Sequence, residues 1–149
     1  MRTIVERFPI GDVQSILEIK SGWMHSTYAV EASRGKYVLQ RLHRKLSTSE
    51  IITDYEAVTA HLHRRSIKAP RLVRTVSDDQ VAIDDEGRWW RLSTWVEGHT
   101  RMQVCSAQEA EEGARALARF HKAMADTEHQ FGSQHPLHDT SAHLARLRA

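Results

Sequence analysis

The sequence predicts an α+β fold, an antiparallel sheet of about five strands with one helix inserted in it, followed by further helices. Short runs rich in β-branched and aromatic residues, separated by turn residues, fill positions 13–43 and 71–98. One stretch with apolar residues at three- and four-residue steps interrupts them, and from Ser106 the composition turns to Ala, Glu, Arg and Leu.

Element by element, a short opening helix or turn precedes VQSILEIKSG (13–22) and STYAVEAS (26–33) on either side of Gly22. The turn Ser33 to Lys36 leads into KYVLQRLH (36–43), so these three strands form a meander. Residues 48–65 place Ile51, Ile52, Tyr55, Val58, Thr59 and Leu62 on one helical face, with Ser47, Thr48 or Ser49 available as N-cap. Pro70 ends that pattern. RLVRTV (71–76), QVAIDD (80–85) and RWWRLSTWVEG (88–98) then read as strands, the last two joined by a turn around Gly87. Residues 106–126 carry acidic residues in the first turns and an apolar face of Ala114, Leu117, Ala118, Phe120, His121 and Met124. A polar loop with Gly132 and Pro136 separates this helix from a second helical pattern beginning at Ser141. The composition shift near Gly98 to Cys105 divides the chain into a first unit, 1–98, and a second, 99–149.

Bulk properties exclude several classes. With 149 residues, 40% hydrophobic content and a net charge of +2, the chain can bury a core and needs neither membrane nor nucleic acid to explain its charge. The N-terminal stretch has no long apolar run that reads as a signal peptide or membrane span, and Cys105, a lone cysteine, forms no internal disulfide. A reducing cytoplasm is the expected location. Basic clusters at 43–46 and 61–68 lack aromatic interleaving and read as solvated faces, so no nucleic-acid partner is expected. Ten histidines invite a metal reading, but His61 and His63 fall on different helix faces, and His121, His129, His135 and His138 lack acid or cysteine partners at ligand spacing. Cys105 has no neighbouring base to activate it.

The order of elements, with a glycine and small hydroxyls after the first strand, resembles the N-terminal lobe of the protein-kinase-like fold. SGWMHSTYAV (21–30) resembles the phosphate loop of the aminoglycoside phosphotransferase and choline kinase group. YVLQRLHRKL (37–46) is similar to the third strand of its N-acetylhexosamine 1-kinase-like branch, DYEAVTAHL (54–62) with APRLVRT (69–75) to the helix and following strand, and WWRLSTWVEGHT (89–100) to the hinge. HPLHDT (135–140) matches a later segment of that branch. The resemblance covers nearly the whole chain. It implies a kinase-like N-lobe followed by the first helices of an incomplete C-lobe, with ATP and Mg²⁺ as cofactors and a sugar or amino sugar as acceptor.

Phosphoryl transfer requires phosphates held in line and their charge neutralised, and the candidate residues can be weighed on that basis. Gly22 lets the chain bend closely around an anion, to which backbone N–H groups and the hydroxyls of Ser26 and Thr27 could point. The bland alternative is a plain hairpin turn. His25 stands where the family usually has Asn, keeping a donor but adding bulk and a titratable proton. By the resemblance, Glu56 pairs with the third-strand cation, with Asp54 as fallback, against the alternative of a solvated surface glutamate. The hinge would offer backbone groups of Thr94, Trp95, Val96 and Glu97 to adenine, with Trp95 as apolar wall; otherwise the tryptophans there only fill the core. On the third strand, side-chain alternation puts Val38 and Gln40 on one face and Leu39 and Arg41 on the other. Parity favours Gln40 at the nucleotide, although it lacks charge; a bulge turning Arg41 toward Glu56 is the alternative.

The family's His-x-Asp-x-x-x-x-Asn catalytic loop is absent, and the chain contains no asparagine. The metal-binding aspartate is likewise missing, so Mg²⁺ would be held by residues outside these 149. A polypeptide of this length is therefore expected not to catalyse transfer, and the apolar face left open would favour a homodimer. Three functions remain: the nucleotide-binding portion of a sugar 1-kinase, the same portion of an aminoglycoside, choline or homoserine kinase, or a non-catalytic binding or scaffold module.

Overall fold

The computed structural model describes residues 2–20, 24–100, 103–133 and 140–147. Helix α1 (Arg2–Val5) leads into the meander β1 (Val13–Ile19), β2 (Ser26–Ala32) and β3 (Gly35–Arg41). Helix α2 (Ser49–Arg64) follows, then β4 (Leu72–Val73), β5 (Ala82–Ile83), β6 (Trp89–Thr94), α3 (Ala107–Met124) and α4 (Thr140–Leu147). The described residues form one antiparallel sheet in the order β1-β2-β3-β6-β4, with β5 also paired to β6.

The sheet has six strands rather than about five, and two of them are only two residues long. Their brevity has a local cause. Thr75 Oγ1 accepts hydrogen bonds from the N–H groups of Ser77 and Asp79, and Asp78 takes a left-handed φ of 65°, so a tight turn replaces the ends of the predicted 71–76 and 80–85 strands. The β5–β6 turn is closed by Asp84, which accepts from the indole N–H of Trp90 at 2.8 Å and from Arg88 Nε at 2.7 Å. Gly87 supplies the positive φ of 73° that this turn requires.

Three hydroxyl residues compete in sequence to cap α2, and Thr48 takes the role: its Oγ1 accepts from the Ile51 N–H at 3.4 Å. Thr48→Ala is expected to cost about 1 kcal/mol in urea denaturation. Ser47→Ala and Ser49→Ala should each cost less than half of that.

The main core lies on one face of the sheet. Ile4, Val5, Phe8 and Ile10, from α1 and the segment after it, cover Val30, Leu39, Trp90 and Leu92. A smaller core of Leu62, Ala69 and Ala123, with Val58 and Met124 against it, joins α2 to the last turn of α3. Polar contacts reinforce that joint. His61, 8% exposed, places Nε2 2.7 Å from the Ala123 carbonyl and Nδ1 3.4 Å from Arg64 Nη2, so its proton belongs on Nε2. Arg65 forms an ion pair with Asp126.

Farther along, the Asp54 carboxylate accepts from His129 Nε2 at 2.7 Å and from the N–H groups of Gly132 and Ser133 at 3.1 and 2.9 Å. The segment 129–133 is thereby latched to α2. The predicted apolar face of α3 is for the most part uncovered by the described residues. Leu117 and Phe120 are exposed, and burial is confined to the final turn around Ala123 and Met124.

Candidate nucleotide cleft

Alternation decides which side chains of the meander face the ligand side. Leu39 is fully buried in the core beneath α1, and the β2–β3 and β3–β6 ladders run without a register shift, so Val38 and Gln40 project from the opposite face. Both line a cleft of about 520 Å³. Its walls include Ile19 and Trp95, and its rim is the hinge segment Thr94–Glu97.

The bulge that would turn Arg41 inward is not formed. Arg41 stays on the core side, where Nη2 donates to Ser26 Oγ at 2.8 Å and the guanidinium lies 5.9 Å from the Trp90 ring. Ser26 leaves the candidate set with it, because Ser26 pairs with Arg41 and shares its face. Thr27 pairs with Gln40 and remains on the cleft side, its Oγ1 accepting from Gln40 Nε2 at 3.4 Å. Gly22 lies outside the described residues.

His25, just before β2, accepts at Nδ1 from the His43 N–H at 3.1 Å. Partial burial, then the positive charges of Arg91 and His43, push its pKa below the usual histidine value, which favours the neutral ring.

Glu56 also differs from expectation. Its carboxylate is engaged by Arg74, at 2.8 Å to one oxygen and 3.1 Å to the other, and by Gln80 Nε2 at 2.6 Å. It therefore braces α2 against the turn after β4. Its partner is Arg74 rather than a cation on β3, since the residue facing the cleft there is the uncharged Gln40. Asp54, the fallback, is committed to the 129–133 latch.

At the hinge, the Thr94 N–H donates to the Arg71 carbonyl and the Trp95 N–H to the Lys36 carbonyl. Two of the four predicted N–H donors are thus consumed by the sheet margin. Among the described residues, the Val96 and Glu97 N–H groups have no intramolecular acceptor, so they are the donors left for a flat heterocycle. Trp90 is core, whereas Trp95 is half-buried and lines the cleft.

One cleft residue was not singled out from sequence. Arg91, on β6 directly across from Gln40, donates through Nη2 to Gln40 Oε1 at 2.6 Å and stacks on Tyr55 with its guanidinium carbon 3.8 Å from the ring centroid. The apolar Trp90 and Leu92 on either side of it signal its parity, but nothing local signals that it sits beside Gln40.

A second hollow of about 570 Å³ lies between Arg7, the N-terminus of α2 and the Thr75–Ile83 segment. It is slightly larger, but no candidate residue lines it. Among the described residues, no group of three or more His, Cys, Asp or Glu side chains is placed to hold a metal ion, and no helix is long and apolar enough to cross a membrane.

Comparison with known proteins bears on the family and the fold. Residues 15–149 match the APH phosphotransferase enzyme family. A homoserine kinase from Chelativorans sp. (strain BNC1) is 26% identical over 126 residues, which are 85% of this chain and 38% of that protein. Among solved structures, an aminoglycoside phosphotransferase from Alicyclobacillus acidocaldarius superposes with a TM-score of 0.66 at 16% identity, over 99% of this chain and 40% of that one. The amicoumacin kinase hAmiN, in complex with AMP-PNP, Ca²⁺ and Ami, gives 0.68 at 15% identity, over 92% of this chain and 44% of the other. The fold is therefore the kinase-like N-lobe with following helices, and the chain spans about two fifths of the length of the proteins it matches.

Proposed function

The chain belongs to the phosphotransferase enzyme family, and from that premise we propose that it is the nucleotide-binding portion of a small-molecule kinase that moves the γ-phosphate of ATP to a hydroxyl. The supporting observation is the hinge cleft. It joins apolar walls, N–H groups of Val96 and Glu97 with no acceptor among the described residues, and a polar floor of Gln40 and Arg91 in one concavity of about 520 Å³, with Thr27 bonded to Gln40 beside it. Adenine would lie against Ile19, Val38 and Trp95, with the hinge donors at its edge and the phosphates over the polar floor. ATP supplies the phosphoryl group; these residues bind and orient it. The divalent cation that accompanies ATP in such transfers neutralises charge on the phosphates, and no described residue is assigned to it.

The 149 residues contain no asparagine and so no family-type catalytic loop, and we assign them binding without transfer. For the acceptor, the Leu39-Gln40-Arg41 strand favours an N-acetylhexosamine, and the homoserine kinase relative favours homoserine.

Calorimetric titration with ATP should give saturable one-to-one binding, and adenosine should bind more weakly. A chain that binds neither is a scaffold module instead. Incubation with ATP, a divalent cation and either acceptor should leave the acceptor unphosphorylated by mass spectrometry. A product would end the assignment of binding alone, and its mass would identify the acceptor.

A further inference from the structure

Arg91 is a cation with no counter-charge among the described residues. It is 9% exposed, yet among the described residues no carboxylate lies within ion-pairing distance of it. Burying a guanidinium without an anion is costly, and its pKa is lowered by that burial. Its direct contacts are neutral: the Gln40 carboxamide oxygen at 2.6 Å and the face of Tyr55 at 3.8 Å. Its Nε is buried with no acceptor. Of the α2 carboxylates, Glu56 is committed to Arg74 and Asp54 to the 129–133 segment, and Glu97, which lines the same cleft, forms no ion pair with Arg91 among the described residues.

Resting on the nucleotide reading above, we propose that Arg91 is the cation that receives the phosphates of the nucleotide, delivered from β6 because β3 presents the uncharged Gln40 where a kinase-like lobe would carry its charge. The geometry supports the exchange of strands. Gln40 and Arg91 are directly paired across the β3–β6 ladder, so one hydrogen bond brings the guanidinium to the third-strand position. Gln40 in turn donates to Thr27 Oγ1, which ties the start of β2 to the same floor. Gln40 and Tyr55 are positioning residues. The first fixes one edge of the guanidinium, and the second supports its plane without neutralising it. The anion that Arg91 meets lies in the same cleft as the hinge donors, so it is the one covalently joined to what the hinge holds. Arg41, the next residue after Gln40 and therefore on the opposite face of β3, spends its charge there on Ser26.

The test compares ATP with adenosine by calorimetry on the 149-residue chain, using Arg91→Met and Arg41→Met. Arg91→Met should weaken ATP binding by at least about tenfold, the worth of one lost charge-assisted hydrogen bond, and change adenosine by less than about twofold. Arg41→Met should leave the ATP-to-adenosine ratio unchanged. Equal losses for both ligands in Arg91→Met, or none, overturn the proposal. Should Arg91→Met lose its folded circular dichroism, the ¹⁵Nε resonance of Arg91 in the unmodified chain decides. It must shift with ATP and not with adenosine, and a silent resonance overturns the proposal equally. An unmodified chain that binds neither ligand removes the nucleotide reading itself and this inference with it. Binding of ATP with no Arg91 response removes this inference alone.

Discussion

Leu39→Ala is expected to lower the free energy of unfolding by about 3 kcal/mol, a large part of the roughly 5–15 kcal/mol that holds a typical domain together. Leu39 is fully buried at the centre of the sheet, paired with Tyr28 on β2 and Leu92 on β6, and its side chain belongs to the core covered by Ile4, Val5, Phe8 and Ile10. Shortening it removes apolar area and opens a cavity that two ladders prevent from collapsing. Leu17→Ala, at a position 65% exposed on β1, should cost less than about 0.5 kcal/mol. Urea denaturation followed by tryptophan fluorescence measures both. Similar costs at the two sites would mean that the face of β3 is assigned the wrong way round, and with it the placement of Gln40 in the cleft.

Asp54→Asn is expected to release the 129–133 segment from α2 and to flatten the acid limb of the stability profile. The Ser133 hydroxyl, then, against the cost of burial, the His129 ring and the N–H groups of Ser133 and Gly132 hold the Asp54 carboxyl far below its ordinary value of 3.8. A carboxyl depressed in the folded state adds stability that is fully present above its unfolded pKa and is lost as pH falls toward the folded one. The loss therefore begins near pH 4 and grows toward pH 2. Asp54→Asn should be less stable than the parent at pH 7, and the difference should narrow steadily between about pH 4 and pH 2. At pH 7 the Gly132 and Ser133 amides should also exchange at least about tenfold faster with deuterium. A constant difference between the two proteins from pH 7 to pH 2 would show that the carboxylate charge is not what holds the segment. Asp84 has the same sign: burial opposes its charge, but Trp90, Arg88 and Glu86 donors outweigh it, so its contribution fades over the same acid range.

Much of the sheet was legible because alternation and turn chemistry are local. KYVLQRLH declared its own parity, which is why Val38 and Gln40 stood on the cleft face before any pairing was known. Gly87 and the acidic turn around it announced the last hairpin. The same parity separates Ser26 from Thr27, whose nearness in sequence groups them: adjacent strand residues face opposite ways, and only Thr27 meets Gln40. The family role expected of Glu56 presumes a cation on β3; with Gln40 there, its charge is satisfied by Arg74, eighteen residues away.

Fold class, strand faces and family are legible along the chain, because hydrophobic period, caps and turn residues act within a few positions of one another. Which charge faces the cleft depends on long-range pairing. Arg91 and Gln40 are fifty-one residues apart and meet through strand pairing, and the hinge N–H groups left free at Val96 and Glu97 are known only after Arg71 and Lys36 have taken the others. Register between distant strands is a collective outcome of core burial and ladder hydrogen bonds, and no local pattern encodes which polar side chains it will set side by side.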